Sequence, residues 1–168
     1  SLYRALEKEN DVTAYTFTRQ YPDFLFPGKT QMVTPEDIAD PIPSIRLLDS
    51  INPISWMKTA SVIKASQPDL MVMKYWMSYM APSLGYVAGS VRSDKTRILT
   101  VVDNAIPHEK KFFDHAFAKY FMNRNDLFIA MSDSVKNDIL SIKPNANVLL
   151  KEHPLYDHFG DIMPQREA

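Results

Sequence analysis

The apolar run Ile98 to Val102 stops abruptly at the polar pair Asp103 and Asn104. Such a run predicts a strand that is buried on both faces, as strands are in parallel sheets. His108 and Glu109 follow within a few residues. Because ligands bind beyond the carboxyl ends of the strands in open parallel sheets, these polar side chains predict a site at that edge.

The same residues also have a purely structural interpretation. Asp103 and Asn104 are common turn residues. Pro107 with Glu109 is typical of a helix start whose acidic first turn suits the helix dipole. The sequence leaves both interpretations open.

Strand-like and helix-like segments alternate along most of the chain. The predicted strands are Val12 to Thr18, Leu70 to Tyr75, Ile98 to Val102, Leu127 to Met131 and Val148 to Leu150. The predicted helices are Leu2 to Leu6, Pro53 to Ser66, Pro82 to Val91, Lys111 to Met122 and Asp133 to Ile142. This alternation predicts an α/β fold, a Rossmann-like, doubly wound parallel sheet with right-handed crossovers in a single domain.

The stretch Arg19 to Asn52 interrupts this regular pattern. It contains five prolines and Gly28, which break helices and strands. We therefore expect a long ordered loop with short extended pieces, such as Ser44 to Leu48.

Side-chain spacing in the helical segments predicts how each helix packs. The residues expected on the core side of the helix Lys111 to Met122 are Phe112, Phe113, Ala116, Phe117 and Tyr120. Gly85 and Gly89, four residues apart, are expected to allow close packing against the sheet. Ser132 is predicted to cap the helix that follows it.

The composition excludes several classes of protein. A chain of 168 residues with 45% hydrophobic and 23% charged residues is typical of one globular domain. The net charge of −1 and the absence of a basic stripe argue against nucleic-acid binding. The absence of cysteine removes disulfides and thiolate metal sites and fits a reducing compartment. No histidine has a second ligand at metal spacing, so we expect no metal site.

No apolar run reaches about 18 residues, so we expect neither a membrane span nor a secretion signal. Peripheral contact with a membrane stays open, because composition does not test it.

Several motifs together carry a family resemblance. They are RQYPDFLFPGKTQ (19–31), RLLDSINPISW (46–56), QPDLMVMKYW (67–76), VVDNAIPHEKK (101–111), MSDSVKNDIL (131–140) and HPLYDHFG (153–160). In this order they resemble the N-terminal, acceptor-side domain of a GT-B fold, family-4 glycosyltransferase of the bacterial surface-polysaccharide type. The resemblance covers most of the chain.

This resemblance implies transfer of a sugar from a nucleotide-diphosphate sugar to a glycan or lipid-linked acceptor, with retention of configuration. It implies that a C-terminal GT-B domain in cis holds the donor, so this chain needs no cofactor and is expected to be inactive alone. Residues 1–160 would form the N-terminal domain, with 19–52 as an irregular insert and 161–168 as the start of the linker. The implied location is the cytoplasm, at the inner face of the membrane for a lipid-linked acceptor.

The resemblance also suggests residue roles. Asp103 would position the acceptor hydroxyl, in a place where many relatives carry a histidine. The implied acceptor-binding residues are Tyr75, Trp76, Asn104, His108 and Glu109, and the implied hinge residues are His153 and Pro154.

This chain departs from the family pattern at its start. The family begins with a strand and a glycine-rich loop, and neither precedes Leu2 here. An exposed sheet edge, and self-association through that edge, are therefore expected.

Other functions stay open on the sequence alone. A non-catalytic Rossmann-like module could use the same edge for a small anionic ligand or a partner. However, the chain lacks a G-x-G-x-x-G loop and paired acidic residues after a first strand. An epimerase of the GT-B kind is a third possibility.

Overall fold

The computed structural model describes residues 2–22, 42–106 and 112–151. The strands are β1 (Ala14–Arg19), β2 (Ser44–Asp49), β3 (Leu70–Tyr75), β4 (Arg97–Val102), β5 (Leu127–Ala130) and β6 (Asn147–Leu150). The helices are α1 (Leu2–Leu6), α2 (Pro53–Ala65), α3 (Ala81–Val91), α4 (Asp114–Met122) and α5 (Asp133–Ile142). A single 3₁₀ turn, Ser78–Met80, precedes α3. Parallel strands joined by helices confirm the predicted α/β, Rossmann-like fold.

The strands form two parallel sheets where one was expected. One sheet has the order β3-β4-β5-β6, and the other contains β1 and β2. At the carboxyl end of the larger sheet, Tyr75 is level with Val102, and Val102 is level with Ala130. Because all these strands run in the same direction, their carboxyl ends form one edge of the sheet.

The helices α2 to α5 form one layer over the larger sheet. α2 packs on α3, α3 on α4, and α4 on α5. For α3, α4 and α5 this arrangement follows from the order of the strands that they connect, since right-handed crossovers that advance in one direction place their helices on the same face. The buried core lies between this layer and the sheet, and its largest members are Tyr75, Phe121, Phe128, Met80, Ile98 and Met122.

The second face of the larger sheet is less covered than the first. In β4, Ile98 and Val102 are fully buried, whereas Leu99 and Val101 point the other way and are only half-buried. The prediction that this strand is buried on both faces was therefore only partly right. A shallow cavity of about 350 Å³ on the second face is lined mainly by Leu99, Leu127, Ile129 and Leu149.

Two helices begin at side-chain caps. Asn52 accepts a hydrogen bond from the backbone N–H of Ile54 at 3.0 Å and is followed by Pro53 at the first helical position. Ser132 accepts one from the backbone N–H of Val135 at 3.3 Å, which confirms the predicted cap of α5.

The segment Ser44 to Asp49 is a full strand and not a short extended piece of a loop. It pairs in parallel with β1, so that Ala14 is level with Ser44 and Arg19 with Asp49. The predicted extended backbone is confirmed within one residue, whereas its pairing in a sheet was not predicted, because the partner strand lies some thirty residues away and local sequence does not report it. Residues 23–41 of the predicted loop lie outside the described residues.

The helix α4 begins later than its pattern suggested, and two of the residues expected on its core side are exposed. Phe112 is 99% exposed and Ala116 is also exposed. The buried positions are Ala118, Phe121 and Met122, a stripe with helical spacing. Phe113, Phe117 and Tyr120, which were also expected on the core side, are half-buried, and Phe117 packs against the core. The predicted face was therefore partly right.

The glycines of α3 face α4, whereas the sequence suggested that they face the sheet. A Cβ on Gly85 would lie 2.5 Å from Cε1 of Tyr120 and 3.3 Å from Cα of Phe121. A Cβ on Gly89 would meet the side chain of Arg124 at 3.0 Å. Gly85 therefore permits the close approach of the two helices.

Candidate functional site

Asp103 lies where the sequence predicted it, at the carboxyl edge of the larger sheet. It directly follows β4, and its backbone N–H donates to the carbonyl oxygen of Tyr75 at 3.0 Å, which extends the β3–β4 ladder by one bond. Its carboxylate oxygen Oδ2 is 3.0 Å from the ammonium group of Lys74 on β3. Tyr75 therefore fixes the backbone of Asp103, and Lys74 fixes one of its carboxylate oxygens.

The second carboxylate oxygen of Asp103 has a different environment. Oδ1 is buried, and no donor in the described part of the chain reaches it. A buried acceptor without a donor costs folding free energy. An O–H or N–H group of a ligand at this edge would remove that cost. Asn104, the next residue, is half-buried beside it and has both donor and acceptor atoms.

Three aromatic side chains, Tyr21, Trp76 and Tyr79, connect the carboxyl ends of β1 and β3, and we call them the aromatic bridge. The Trp76 indole N–H donates to the hydroxyl of Tyr21 at 3.1 Å, and the rings of Tyr21 and Tyr79 are 5.9 Å apart. The Tyr79 hydroxyl donates to the carbonyl oxygen of Gln20 at 2.8 Å. Burial, and to a lesser extent the neighbouring Tyr21, raise the pKa of Tyr79. The side chain of Trp76 is half-buried at this edge, and its indole N–H is already hydrogen-bonded to Tyr21.

Tyr75 does not face this edge. Its side chain is fully buried and stacks on Phe121, with ring centroids 4.6 Å apart and an interplanar angle of 12°. The physical reason is the alternation of side chains along β3, which directs Lys74 to one face and Tyr75 to the helical layer. The ring has no free face for a sugar, so we correct its assignment from acceptor binding to the core.

A buried polar contact lies under the helical layer near Tyr75. The Ser78 hydroxyl donates to the carboxylate of Asp114, and both residues are almost fully buried. Asp114 is in the first turn of α4, where a negative charge is favourable. The contact ties the turn after β3 to the start of α4. Sequence reasoning missed Asp114, although its helical spacing to Ala118 and Phe121 places it on the buried face.

A second ion pair lies at the carboxyl end of the smaller sheet. Arg19, at the end of β1, is 2.6 Å from the carboxylate of Asp49, at the end of β2. Burial acts to raise the pKa of Asp49, but hydrogen bonds from Arg19 and from two backbone N–H groups outweigh it, so this pKa is lowered. The pair was not predicted, because the two residues become neighbours only when β1 and β2 pair.

Several predicted site residues lie outside the described residues. They are the acceptor-binding candidates His108 and Glu109 and the hinge candidates His153 and Pro154. The linker assigned to residues 161–168 lies there as well. The structure therefore brings Asp103, Asn104 and Trp76 to one edge.

The described ranges were also searched for metal-binding groups and for membrane-spanning helices. Within them, no three His, Asp or Glu side chains come together as a group that could hold a metal ion. In the same ranges, no helix has the length and apolar character needed to cross a membrane.

No protein-family model matches this chain, and neither a curated protein nor a solved structure shows significant similarity to it. The resemblance carried by the sequence motifs therefore stays a prediction, whereas the α/β, Rossmann-like architecture is a property of the structure itself.

Proposed function

We propose that this chain is the acceptor-binding half of a retaining glycosyltransferase, which moves a sugar from a nucleotide-diphosphate sugar to a glycan or lipid-linked acceptor. The observation that supports this proposal most directly is the state of Asp103. One carboxylate oxygen is held by Lys74 at 3.0 Å, and the other is a buried acceptor that no described donor reaches. A sugar hydroxyl is a donor of the required kind.

In this proposal Asp103 positions the acceptor and is not assigned a proton-transfer step. Lys74 orients the carboxylate through Oδ2, so that Oδ1 is left for the acceptor hydroxyl. Holding that hydroxyl in a fixed place lowers the entropic cost of its attack on the donor sugar. Asn104 supplies further hydrogen bonds, and Trp76 forms the apolar wall beside them.

The remaining chemistry is assigned to a C-terminal GT-B domain in cis. The diphosphate of a donor needs basic side chains and helix N-termini to balance its charge. At the described edge the ammonium group of Lys74 is already paired with Asp103, and Lys151 directly follows β6. Because the proposal assigns the donor to the C-terminal domain, we expect this chain to bind acceptor without transferring sugar. The role places the protein in the cytoplasm, at the inner face of the membrane when the acceptor is lipid-linked.

The test is binding of the fluorescently labelled chain to an array of bacterial surface oligosaccharides. We expect the wild type to bind at least one of them and Asp103→Ala to bind it about tenfold or more weakly, since a hydrogen bond to a charged group is lost. The matched control is Asp94→Ala, which removes an exposed carboxylate from the bend between α3 and β4. Circular dichroism verifies that both variants are folded. Equal binding by all three proteins would remove Asp103 from the proposed site.

A calorimetric titration with UDP-glucose, UDP-N-acetylglucosamine and GDP-mannose separates the proposal from its main alternative. The acceptor-binding function predicts no measurable heat from any of them. Binding that Asp103→Ala abolishes would mean that this edge is itself a nucleotide site. In that case the chain is a small-ligand-binding Rossmann-like module.

A further inference from the structure

Large hydrophobic side chains are exposed at the starts of three consecutive helices. They are Ile51, Ile54 and Met57 at the start of α2, Met77 in the turn before α3, and Phe112 just before α4, and we call them the apolar rim. Their exposed fractions range from 39% for Met77 to 75% for Ile54 and 99% for Phe112. Single exposed hydrophobic residues are normal on protein surfaces, but a group of them on one side of a domain marks an interaction surface.

The topology places the apolar rim at one edge of the domain. Each of these helices follows a parallel strand, so it begins at the carboxyl edge of the sheet and runs back toward the amino edge. β2 shares this edge with the larger sheet, because β2 pairs in parallel with β1 and the aromatic bridge joins the end of β1 to the end of β3. Since α2 packs on α3 and α3 on α4, the three helix starts follow one another along the edge. The rim therefore lies at the same edge as Asp103.

The exposed charges of these three helices are positive. α2 contains Lys58 and Lys64 and no acidic residue, and α3 contains no charged residue. α4 contains Lys119 and one carboxylate, that of Asp114. The three lysines are exposed, whereas Asp114 is buried against the hydroxyl of Ser78. A negatively charged surface that approaches these helices meets cations and no exposed carboxylate of theirs.

These features favour a lipid surface as the partner. A protein docks on a membrane interface through apolar side chains that reach between the headgroups and through cations that pair with anionic lipids, and both are present here. α5, the next helix of the layer, differs on both points. It begins with the exposed carboxylate of Asp133, and none of its large hydrophobic residues is exposed. The surface is therefore confined to α2, α3 and α4.

We propose that the apolar rim docks on the surface of a membrane that contains anionic phospholipids. Ile54 and Phe112 enter the boundary between headgroups and acyl chains, and the exposed lysines of α2 pair with lipid phosphates. Because Asp103 lies at the same edge, docking brings the candidate site close to the lipid surface. The interaction does not depend on what Asp103 binds, so this inference is independent of the proposed function.

The test measures whether single positions of the full chain enter the lipid. The chain has no cysteine, so Ile54→Cys and Val62→Cys each accept one environment-sensitive nitrobenzoxadiazole (NBD) label. Val62 is the matched control, because it is an exposed residue of the same helix that lies about 12 Å farther along the axis than Ile54. The labelled proteins are titrated with vesicles of phosphatidylethanolamine and phosphatidylglycerol, and with vesicles of phosphatidylcholine alone.

We expect the NBD fluorescence at position 54 to rise severalfold on the vesicles that contain phosphatidylglycerol, to rise much less on phosphatidylcholine, and to fall as the salt concentration is raised. The label at position 62 should stay in water. In flotation of unlabelled protein, the double variant Ile54→Ser with Phe112→Ser should bind the anionic vesicles about tenfold or more weakly than the wild type. Circular dichroism verifies that this variant is folded, as expected for two exposed side chains.

The proposal would be overturned if the wild type did not bind the anionic vesicles, or if positions 54 and 62 gave equal signals. Equal binding to the two kinds of vesicle, or equal binding by the double variant, would overturn it as well. A concentration-dependent dimer that the double variant abolishes would show that a second copy covers the rim, which also overturns it. The oligosaccharide array separates this test from the proposed function, because the double variant should bind the sugar as the wild type does.

Discussion

The guanidinium group of Arg19 and the carboxylate of Asp49 form an ion pair at 2.6 Å that closes the carboxyl end of the β1–β2 sheet. Asp49 also accepts the backbone N–H of Ile51 at 3.0 Å. We expect Asp49→Asn to lower the free energy of unfolding at pH 7 by roughly 1–3 kcal/mol, because charge-assisted hydrogen bonds are lost. Urea denaturation of both proteins measures the difference.

The same pair predicts a dependence on pH. The pKa of folded Asp49 is lowered, so its contribution is fully present above the unfolded pKa of about 3.9 and is lost as the pH falls through the folded pKa. The stability difference between wild type and Asp49→Asn should be constant from pH 7 to about 5 and should shrink below about pH 4. Asp94→Asn, at an exposed position, is the control and should follow the wild type. A difference that grows as the pH falls would contradict this assignment.

At Gly85, a single added methyl group should disturb the packing of α3 against α4. A Cβ there would lie 2.5 Å from Tyr120 Cε1, so we expect Gly85→Ala to destabilise the fold by about 1–3 kcal/mol despite the better helix propensity of alanine. In Gly89→Ala the methyl group meets the flexible side chain of Arg124, so the Tm should be unchanged or slightly raised. Thermal unfolding monitored by circular dichroism compares the two. Equal Tm values would show that α3 and α4 are not closely packed at Gly85.

Thr100 carries the clearest buried polar contact between the sheet and the helical layer. Its hydroxyl donates to Oδ1 of Asn125 at 2.6 Å, and the Asn125 amide donates to the carbonyl oxygen of Phe121 at 2.7 Å. Thr100→Val keeps the shape but leaves the buried Asn125 oxygen without this donor, at a cost of about 1–3 kcal/mol. Thr100→Ser keeps the donor and should unfold at a urea concentration closer to that of the wild type. The reverse order of the two variants would mean that the methyl group, rather than the hydrogen bond, dominates.

Removing the hydroxyl of Tyr75, unlike that of Thr100, should not lower the stability of the fold. Its hydroxyl is buried without a hydrogen-bond partner among the described residues, and burial together with the charge of Asp114 raises its pKa. Tyr75→Phe removes this hydroxyl and keeps the stack on Phe121, so stability should be unchanged or rise by up to about 1 kcal/mol. Chemical denaturation tests it. A loss of more than about 1 kcal/mol would show that the hydroxyl makes a stabilising contact.

Much of the fold could be predicted because the necessary signals are local. The helix α2 begins at Asn52 and Pro53, where a cap and a proline favour a helix start. The strands β3 and β4 are short apolar runs with polar boundaries, and their observed bounds agree with the prediction within one residue. The place of Asp103 at a strand end follows from the same boundary.

Other features depend on distant partners and could not be predicted in the same way. Trp76 meets Tyr21 across 55 positions of the chain, and the Arg19–Asp49 pair spans 30. The core-facing side of α4 was predicted only in part, since Phe117 packs against the core but Phe112, which was expected there, lies before the helix and is exposed.

The sequence by itself determined the alternation of strands and helices, most of their bounds and the polar edge that contains Asp103, because periodicity, caps and breakers act over a few neighbouring residues. Only the tertiary structure decided that the described strands form two sheets, that Tyr75 is buried and that Lys74 pairs with Asp103. These outcomes depend on which strands pair and which faces are covered. Strand pairing and burial bring together segments that are distant in the chain, and local sequence does not encode them.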